Sequence, residues 1–382
     1  MRKKIEIMEH KQMTSISIKE YNRKSIFRLF REHEALSKGD IVYMLGLSLP
    51  TVTQNLTELC ENGWIVESGQ VKNTGGRNAK TYSLFRSAKT AIGLDITRHH
   101  ITAVAVNLCG EIISTVRIPY AFACTDAYFQ KLGAVVEQII RDSALYPDNI
   151  LGVGISLPAL VTPDNESVFY GEILKITGLS RGEISKYIQY PTMLFNDANA
   201  AAFAERWKSP ELDNAFYIML SDNVGGAIII NGEVYVGNHV RGGEVGHMTI
   251  VPGGKLCYCG QRGCVDQYCS ATCLSELSGG DLEEFFRMLG DKHEAAVARW
   301  EEYLDHLATA INNVQMLFDC QIVLGGYVGG YIEEYITELQ DRLAKRHSFV
   351  VDGSYLKPCR YKRDALAAGA ALNFVQRFIE AT

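Results

Sequence analysis

One loop of the chain carries four side chains whose types and spacing could hold a metal ion. They follow the pattern H-x9-C-x-C-x4-C, and the glycines among them let the loop fold back on itself. The four residues are His247, Cys257, Cys259 and Cys264. Three thiolates and one imidazole favour tetrahedral Zn²⁺ with every position filled, which predicts a structural rather than a catalytic site. The alternative is a chance cluster of thiols.

The compartment in which the chain works bears on the state of these thiols. The opening segment MRKKIEIMEHKQMT is basic but lacks the apolar core of a secretion signal, and no apolar run in the sequence is long enough to span a membrane. We therefore predict a cytoplasmic protein with no membrane partner, in which thiols stay reduced. The ten cysteines are then metal ligands or small buried residues rather than a disulfide framework.

Carboxylates and amides accompany the metal-ligating loop. Glu244 precedes the histidine by three residues, and Asp266 follows the last cysteine by two. A metal that pins the loop would fix both carboxylates, and Asn196 and Asp197, at the end of a predicted strand, could complete a ring of polar groups. Because sugar hydroxyls need several acceptors at defined positions, this group predicts recognition of a polyol. The alternative for each carboxylate alone is an ordinary surface charge.

Strands and helices alternate through the part of the chain that must position these residues. Apolar patterns predict strands within 91–118, 150–160, 191–196, 214–237 and 321–330, and helices at 127–145, 197–207 and 301–319. This alternation indicates an α/β body built as two similar lobes. Ligands of such bodies bind between the lobes, at strand ends.

The first 86 residues predict three helices followed by a two-stranded hairpin. A helical pattern covers 17–38, a short second helix begins at a capping Ser37 and fades at Gly46, and a third, capped by Ser48, ends at Gly63. Two helices joined by a tight turn, the second polar at its start, are typical of a helix-turn-helix that enters the major groove. The hairpin between 64 and 85 would be its wing.

The third helix and the hairpin tip supply the predicted DNA contacts, which are Ser48, Thr51, Thr53, Gln54, Asn55, Lys72, Arg77 and Lys80. Small polar side chains can contact base edges, and cations beside glycines can contact phosphates. Through Phe85 there are 13 Lys and Arg against 9 Asp and Glu, whereas the remainder has 25 against 35. The basic excess suits an acidic partner. The alternatives are a winged module that binds protein and a plain three-helix domain.

Several motifs resemble the ROK family (repressors, open reading frames and kinases), specifically its repressor branch with an N-terminal winged helix. They are FNDANAAAFAE, GGEVGHM, CYCGQRGC, VLGGYVGG and, in the hairpin, TGGR. The resemblance implies an α/β chain with a winged helix-turn-helix DNA-binding domain at 1–86. A sugar-binding body at 87–382 would have an actin-like, hexokinase-like two-lobed ATPase fold with a structural zinc loop. Its lobes would be roughly 87–195 with the C-terminal helix region, and 196–365.

The resemblance also places the family's sugar contacts on this chain. They fall on Asn196, Asp197, Glu244 and His247, and the fifth position, usually Glu, is Asp266. Its side chain is one methylene shorter, which puts its sugar contact in doubt.

Two loops depart from the kinases of this family. Those kinases have a Gly-Gly-Thr turn after an Asp and a second loop like Gly-Thr-Gly, whose backbones approach the ATP phosphates. Here Asp95 is followed by Ile-Thr-Arg-His, and the second loop has Ser-Asp-Asn at 221–223, so side chains and a carboxylate occupy the phosphate space. Asp197, the general base in a kinase, would then serve binding.

Together these features predict a sugar-responsive transcriptional regulator without enzyme activity, a repressor of carbohydrate-utilisation genes. Its partners would be double-stranded operator DNA, a sugar effector between the lobes and a second copy of the chain, as a homodimer or homotetramer. Zn²⁺ would be a structural cofactor. The alternatives are an ATP-dependent sugar kinase that carries a DNA-binding head, and a ligand-independent DNA-binding protein whose body only dimerises.

Overall fold

The computed structural model describes residues 15–71, 79–346, 348–349 and 352–382 of the chain. They belong to two compact units. The first comprises the chain up to Lys89 together with 107–109 and 375–382, and the second comprises 90–106 and 110–374. Among the described residues, no helix is both long and apolar enough to cross a membrane.

The first unit is a winged helix. Its elements are α1 (Ser15–Glu32), β1 (Leu36–Ser37), α2 (Lys38–Leu45), α3 (Leu49–Glu61), β2 (Ile65–Val71) and β3 (Ala79–Leu84). The strands form an antiparallel sheet in the order β1-β3-β2. Phe27 of α1, Ile41 of α2 and Leu56 of α3 are almost fully buried, so the apolar stripes of the three helices share one core.

Capping residues set the helix-turn-helix. The Ser37 hydroxyl accepts a hydrogen bond from the Asp40 amide (3.2 Å) and the Asp40 carboxylate accepts one from the Ser37 amide (2.8 Å), a reciprocal cap for α2. Gly46 ends α2 at φ +65°, a conformation that favours glycine. Ser48 then caps α3 through the Thr51 amide (3.3 Å). The predicted boundaries of both helices are confirmed.

The end of the C-terminal helix belongs to the first unit, although the sequence placed that whole helix with the body. Phe378 packs edge-on against Phe27 of α1 (ring centroids 6.3 Å apart) and against Trp64 (5.2 Å). Phe27 and Trp64 also contact each other, at 6.2 Å. The three rings form one apolar cluster, which explains why residues 375–382 join the winged helix.

Phe378→Ala is expected to destabilise the winged helix by about 2 kcal/mol, because it leaves Phe27 and Trp64 without their edge-to-face partner. Hydrogen–deuterium exchange of peptides from α1 and α3 should accelerate by roughly 30-fold, while peptides of the second unit keep their rates. Arg377→Ala, which removes an exposed side chain of the same helical turn, is the matched control. Unchanged exchange in α1 would show that the ring cluster contributes nothing.

The second unit begins with one five-stranded lobe. Its elements are β4 (Thr90–Ile96), β5 (His100–Asn107), β6 (Ile112–Pro119), α4 (Asp126–Asp142), β7 (Ile150–Leu157), β8 (Leu160–Val161), β9 (Val168–Tyr170), α5 (Arg181–Ile184) and β10 (Thr192–Asn196). The large sheet has the order β10-β7-β4-β5-β6, with β10, β7 and β4 parallel. Strand β4 is buried along its whole length, as its largely apolar sequence predicts.

A second five-stranded lobe follows. Its elements are α6 (Asp197–Lys208), β11 (Ala215–Leu220), β12 (Val224–Ile230), β13 (Glu233–Tyr235), α7 (Asp266–Cys269), α8 (Ala271–Ser275), α9 (Leu282–Gly290), α10 (Glu294–Phe318), β14 (Gln321–Gly325), α11 (Gly326–Ile332), α12 (Ile336–Arg346) and β15 (Leu356–Pro358). The sheet order is β13-β12-β11-β14-β15. The last helix, α13 (Ala365–Ala381), packs on β4 and β7 of the first lobe, where the sequence placed it. Two lobes, each with its own sheet and apolar core, confirm the predicted α/β body.

Helix α13 packs tightly against the elements that carry the polar site residues. A methyl group at Gly369 would collide with the backbone of Ala200 in α6, and one at Gly93 of β4 would collide with the carbonyl of Ala367. Glycine at these two positions therefore allows α13 to approach α6 and β4 closely. Asp197 begins α6 and Asp95 lies near the end of β4.

Candidate ligand-binding cleft and metal-ligating loop

A cleft of about 530 Å³, part of it open to solvent, lies within the second unit. Its walls mix polar and apolar side chains, a combination that holds a small ligand by its faces and its edges. The polar lining residues are Glu172, Asn196, Asp197, Asn223, Glu244, His247 and Tyr258. Four of the five predicted sugar contacts are therefore brought together in one cleft.

The junction of β10 and α6 places Asn196 and Asp197. The Asn196 side chain caps α6 by accepting from the Asn199 amide (3.0 Å), and it donates to the Ala159 carbonyl (3.1 Å) and to Asp197 Oδ1 (3.1 Å). Asp197 Oδ1 also accepts from the Ala198 amide (2.8 Å). Both side chains are thus held in fixed positions at the edge of the cleft before any ligand enters.

Burial raises the pKa of two of the carboxyl groups in the cleft. Burial, assisted by the nearby Glu244 charge and opposed by the hydrogen bond from the Ala198 amide, raises the pKa of Asp197 to about 7. Burial also raises the pKa of Glu244. A carboxyl group that is partly protonated near pH 7 can donate as well as accept a hydrogen bond, which suits hydroxyl groups.

The predicted metal ligands converge. One ligand atom from each of His247, Cys257, Cys259 and Cys264 lies within 4.8 Å of all the others. Cys257 Sγ is 3.8 Å from His247 Nδ1, and Cys259 Sγ is 3.7 Å from Cys264 Sγ. Sulfur ligands about 2.3 Å from a tetrahedral Zn²⁺ are roughly 3.8 Å from one another, so this set fits the ion. The loop offers four ligands, so a bound ion would have its tetrahedral positions filled.

His247 faces both the metal ligands and the cleft. Its Nδ1 points towards Cys257, whereas its Nε2 is 3.2 Å from the hydroxyl of Tyr258. If Nδ1 binds a metal, Nε2 carries the ring proton and donates a hydrogen bond to the Tyr258 hydroxyl. This hydrogen bond would fix the orientation of the ring. Both His247 and Tyr258 line the cleft. The loop that could bind a metal therefore also forms one wall of the ligand site.

Asp266 does not line the cleft, so its prediction as a sugar contact is wrong. Its side chain is buried, with 3% of its surface exposed. Asp266 Oδ1 accepts from the Val224 amide (2.8 Å) and from the side-chain amide of Asn223 (3.4 Å), and Oδ2 accepts from Gln267 (3.0 Å). All three hydrogen bonds of the carboxylate come from donors of the protein itself.

In both loops that depart from the kinase pattern, side-chain oxygens accept hydrogen bonds from backbone amides. After β4, the Thr97 hydroxyl accepts from the amides of His99 (3.3 Å) and His100 (3.0 Å). Before β12, the Val224 amide donates to Asp266. Phosphate-binding loops depend on amides that point freely at the anion. In this chain those three amides already have internal acceptors.

The predicted DNA contacts divide into three groups. Thr51 and Thr53 are half-buried and Ser48 and Gln54 are exposed, all at the start of α3. Asn55 is 1% exposed and donates to the Thr51 carbonyl (2.8 Å), so its predicted place on the outward face is wrong. It faces inward because it lies on the buried stripe of α3, one helical turn after Val52 and next to Leu56.

The wing is described only in part. Lys80 lies in β3, and its ammonium is 2.8 Å from the Glu67 carboxylate of β2, with both side chains exposed. Lys72 and Arg77 lie outside the described residues, so their proposed contact with phosphates stays a prediction.

Sequence reasoning missed three polar residues of the cleft. Tyr258 lies between two predicted metal ligands, Cys257 and Cys259. A metal that holds both neighbours would also hold this side chain in place, and this position in the sequence could have indicated its role. Asn223 was noted only for its effect on phosphate binding. Glu172 lies in an irregular segment after β9, where no sequence pattern indicates that it contacts the cleft.

The second unit combines two α/β lobes with a ligand cleft and a Cys3His loop, and the first unit is a winged helix. The chain belongs to the ROK family, whose profile matches residues 91–376. This match confirms the family that the motifs indicated.

Known proteins are similar to this chain over much of its length. The xylose repressor of Bacillus subtilis is 27% identical over 259 residues, which are 67% of this chain and 67% of that protein. The chain matches about two thirds of the length of such curated relatives. A crystal structure of a ROK family transcriptional regulator, a homolog of the E. coli MLC protein, superposes with a TM-score of 0.75 at 24% identity, covering 95% of this chain and 97% of that one.

The body also resembles kinases. A ROK family glucokinase from Streptomyces griseus, in complex with glucose and AMPPNP, has a TM-score of 0.61 at 22% identity and covers 74% of this chain and 98% of its own. At such identities the two solved structures establish the fold and leave the activity open.

Proposed function

We propose that the protein is a sugar-responsive DNA-binding regulator of transcription, a repressor of carbohydrate-utilisation genes that works in the cytoplasm. One observation carries the proposal. Asn196, Asp197, Glu244 and His247 line a single cleft, while the loop amides that a nucleotide phosphate would need donate to Thr97 and Asp266. The similarity to a xylose repressor supports the same function.

The charge of the cleft favours an uncharged sugar as the effector. Three carboxyl groups, those of Glu172, Asp197 and Glu244, line it, and the lining residues include no lysine or arginine. A phosphorylated sugar would bring a dianion beside these groups without a cation to pair with it, which is costly in a partly buried site. The hydroxyls of an unmodified sugar can instead donate to the carboxylates.

Zn²⁺ is the proposed structural cofactor, held by His247, Cys257, Cys259 and Cys264. It would supply no chemistry to the ligand. Its role would be to fix the loop that carries Glu244, His247 and Tyr258, so that the cleft wall keeps its shape.

The start of α3, with Ser48, Thr51, Thr53 and Gln54, is the proposed contact with base edges. One winged helix contacts too few base pairs for useful specificity, so we propose that a homodimer, or a homotetramer built from such dimers, binds a pseudo-palindromic operator. A sugar that prefers one arrangement of the lobes would change DNA affinity by about 1–3 kcal/mol, the usual size of such coupling.

A thermal-shift assay with D-xylose, D-glucose, N-acetylglucosamine, their phosphates and Mg-ATP tests the sensor. At a concentration 100-fold above its Kd, one uncharged sugar is expected to raise the Tm by about 5 °C, with no shift from the phosphates or from Mg-ATP. Glu244→Gln should lose the response to that sugar. A shift with every phosphate and none with an uncharged sugar would contradict the charge argument.

DNA binding is tested with an operator selected from random duplexes, by fluorescence anisotropy over a salt series. The stabilising sugar should change the Kd by about tenfold. Gln54→Ala is expected to weaken binding to the selected operator and leave the thermal response to sugar intact. DNA affinity that no sugar changes would instead favour the ligand-independent alternative.

A ROK-type sugar kinase is the second candidate, because one observation favours it. The pKa of Asp197, raised to about 7 by burial, is close to the value that a general base needs at neutral pH. This candidate requires Mg-ATP to stabilise the protein and phosphorylated sugar to accumulate, which mass spectrometry of a reaction mixture would detect.

A further inference from the structure

The loop between β11 and β12 is tied to a buried carboxylate. Asp266, at the start of α7, binds the Val224 amide at 2.8 Å and the Asn223 side-chain amide at 3.4 Å through the same oxygen, Oδ1. Its other oxygen accepts from Gln267 at 3.0 Å. With 3% of its surface exposed and not lining the cleft, this carboxylate faces the loop rather than a ligand.

Asn223 both contacts Asp266 and lines the cleft. It is half-buried and is one of the polar residues that line the cleft, together with Asn196, Asp197 and Glu244. Because a carboxylate only accepts hydrogen bonds, the NH2 group of Asn223 is the end that turns towards Asp266. Its carbonyl oxygen and one remaining N–H are then available to a ligand.

We propose that Asn223 contacts the ligand and sets which sugar the cleft accepts, and that Asp266 is its positioning residue. This inference rests on the proposed sensor function and names one of its specificity determinants. An amide at this position both donates and accepts, whereas the amide of Asn196 already donates both N–H groups, to Ala159 and Asp197. A sugar hydroxyl that must accept a hydrogen bond can therefore find an amide donor at Asn223.

The arrangement predicts different behaviour for two substitutions. Asn223→Ala removes the contact and is expected to weaken the best-bound sugar by about tenfold. Asn223→Asp places a further carboxylate beside Asp266 and Asp197 and should weaken binding by more than the alanine variant does. Asp222→Asn is the matched control, because Asp222 is exposed on the same loop and does not line the cleft.

Isothermal titration of the full-length, zinc-loaded protein with D-xylose, D-glucose and N-acetylglucosamine tests the proposal. Asp266→Asn should change the ratio between the two best-bound sugars in the same direction as Asn223→Ala. The double variant should show no further change, since both act on one contact. A purely structural Asp266 would instead lower all affinities equally and add its effect to that of Asn223→Ala.

The outcomes separate this inference from the proposed function. If the wild-type protein binds none of the three sugars, the sensor function itself fails and the inference fails with it. If the wild type binds a sugar and Asn223→Ala stays within twofold of it for all three, the sensor function stands and the role of Asn223 is overturned. Zinc content, which should be equal in all variants, shows whether the neighbouring loop has kept its structure.

Discussion

Cys259→Ser protein is expected to lose its zinc, about 5 kcal/mol of stability and most of its affinity for sugar. Cys259 supplies one of the four ligand atoms that converge within 4.8 Å. Binding energy at such a site is folding energy, because the unfolded chain does not preform it. In a body of this size the loss corresponds to a fall in Tm of roughly 10 °C.

The effect on sugar binding follows from what the loop carries. His247 would bind the metal through Nδ1, and its Nε2 edge, next to Tyr258, lines the cleft. Without the ion, the two remaining thiols and the imidazole lose their common partner, and the loop that forms the cleft wall loses its fixed position. Sugar affinity is expected to fall by more than tenfold, on the order of the loss caused by removing second-shell support in metal sites.

Metal analysis, thermal unfolding and sugar titration on the same preparations measure the three losses together. Cys124→Ser is the control, since Cys124 is exposed and far in sequence from the loop, and it should keep its metal and its affinity. Full zinc content in the Cys259→Ser protein, with a normal sugar response, would show that the loop does not depend on the ion.

Much of the fold follows from local sequence patterns. Strand β4 is apolar at nearly every position because it is buried on both faces, and α3 has its cap, its proline and its apolar stripe at the required spacing. The metal ligands also follow from sequence, because the histidine and the three cysteines lie within 18 residues and the loop between them is rich in glycine. In each case the residues that form a feature are near one another in the chain.

The residues that the sequence placed wrongly or missed fall into two groups. Some make contacts with distant parts of the chain, and others lie on a different face of their helix from the one predicted. Asp266 binds Asn223 and Val224, more than 40 residues away, and spacing along the chain cannot show that it stops short of the cleft. Asn55 is polar, and only the position of Val52 and Leu56 beside it reveals that it faces the core. Phe378 joins Phe27 from the other end of the sequence.

A buried carboxyl group at the end of β4 should make stability fall with rising pH. Asp95 is 8% exposed, and its Oδ1 is buried without a hydrogen-bond partner among the described residues. Burial, assisted by the charge of Asp197, raises the pKa of Asp95 to about 8 from an ordinary value of 3.8. The groups that face it are Arg117, Tyr128, Asp197, Asp222, Tyr327 and Asp364.

The direction of the effect follows from which state binds the proton. Between about pH 4 and pH 8 the folded protein keeps the proton of Asp95, while the unfolded chain has released it. The stabilisation from this difference is therefore complete below pH 4 and is lost as the pH rises through about 8. Above that pH, folding must bury a charge that only Arg117 partly offsets.

Asp95→Asn removes the titration, so it is expected to raise the Tm by roughly 8 °C at pH 9, on the order of 4 kcal/mol, and to change it little at pH 5. Thermal unfolding of wild-type and variant protein from pH 5 to pH 9 measures the difference. Asp222→Asn, on an exposed carboxylate nearby, should shift the Tm by about 1 °C or less throughout. A gap between Asp95→Asn and wild type that stays constant with pH would mean that Asp95 is already ionised in the folded protein, with Arg117 or water compensating its charge.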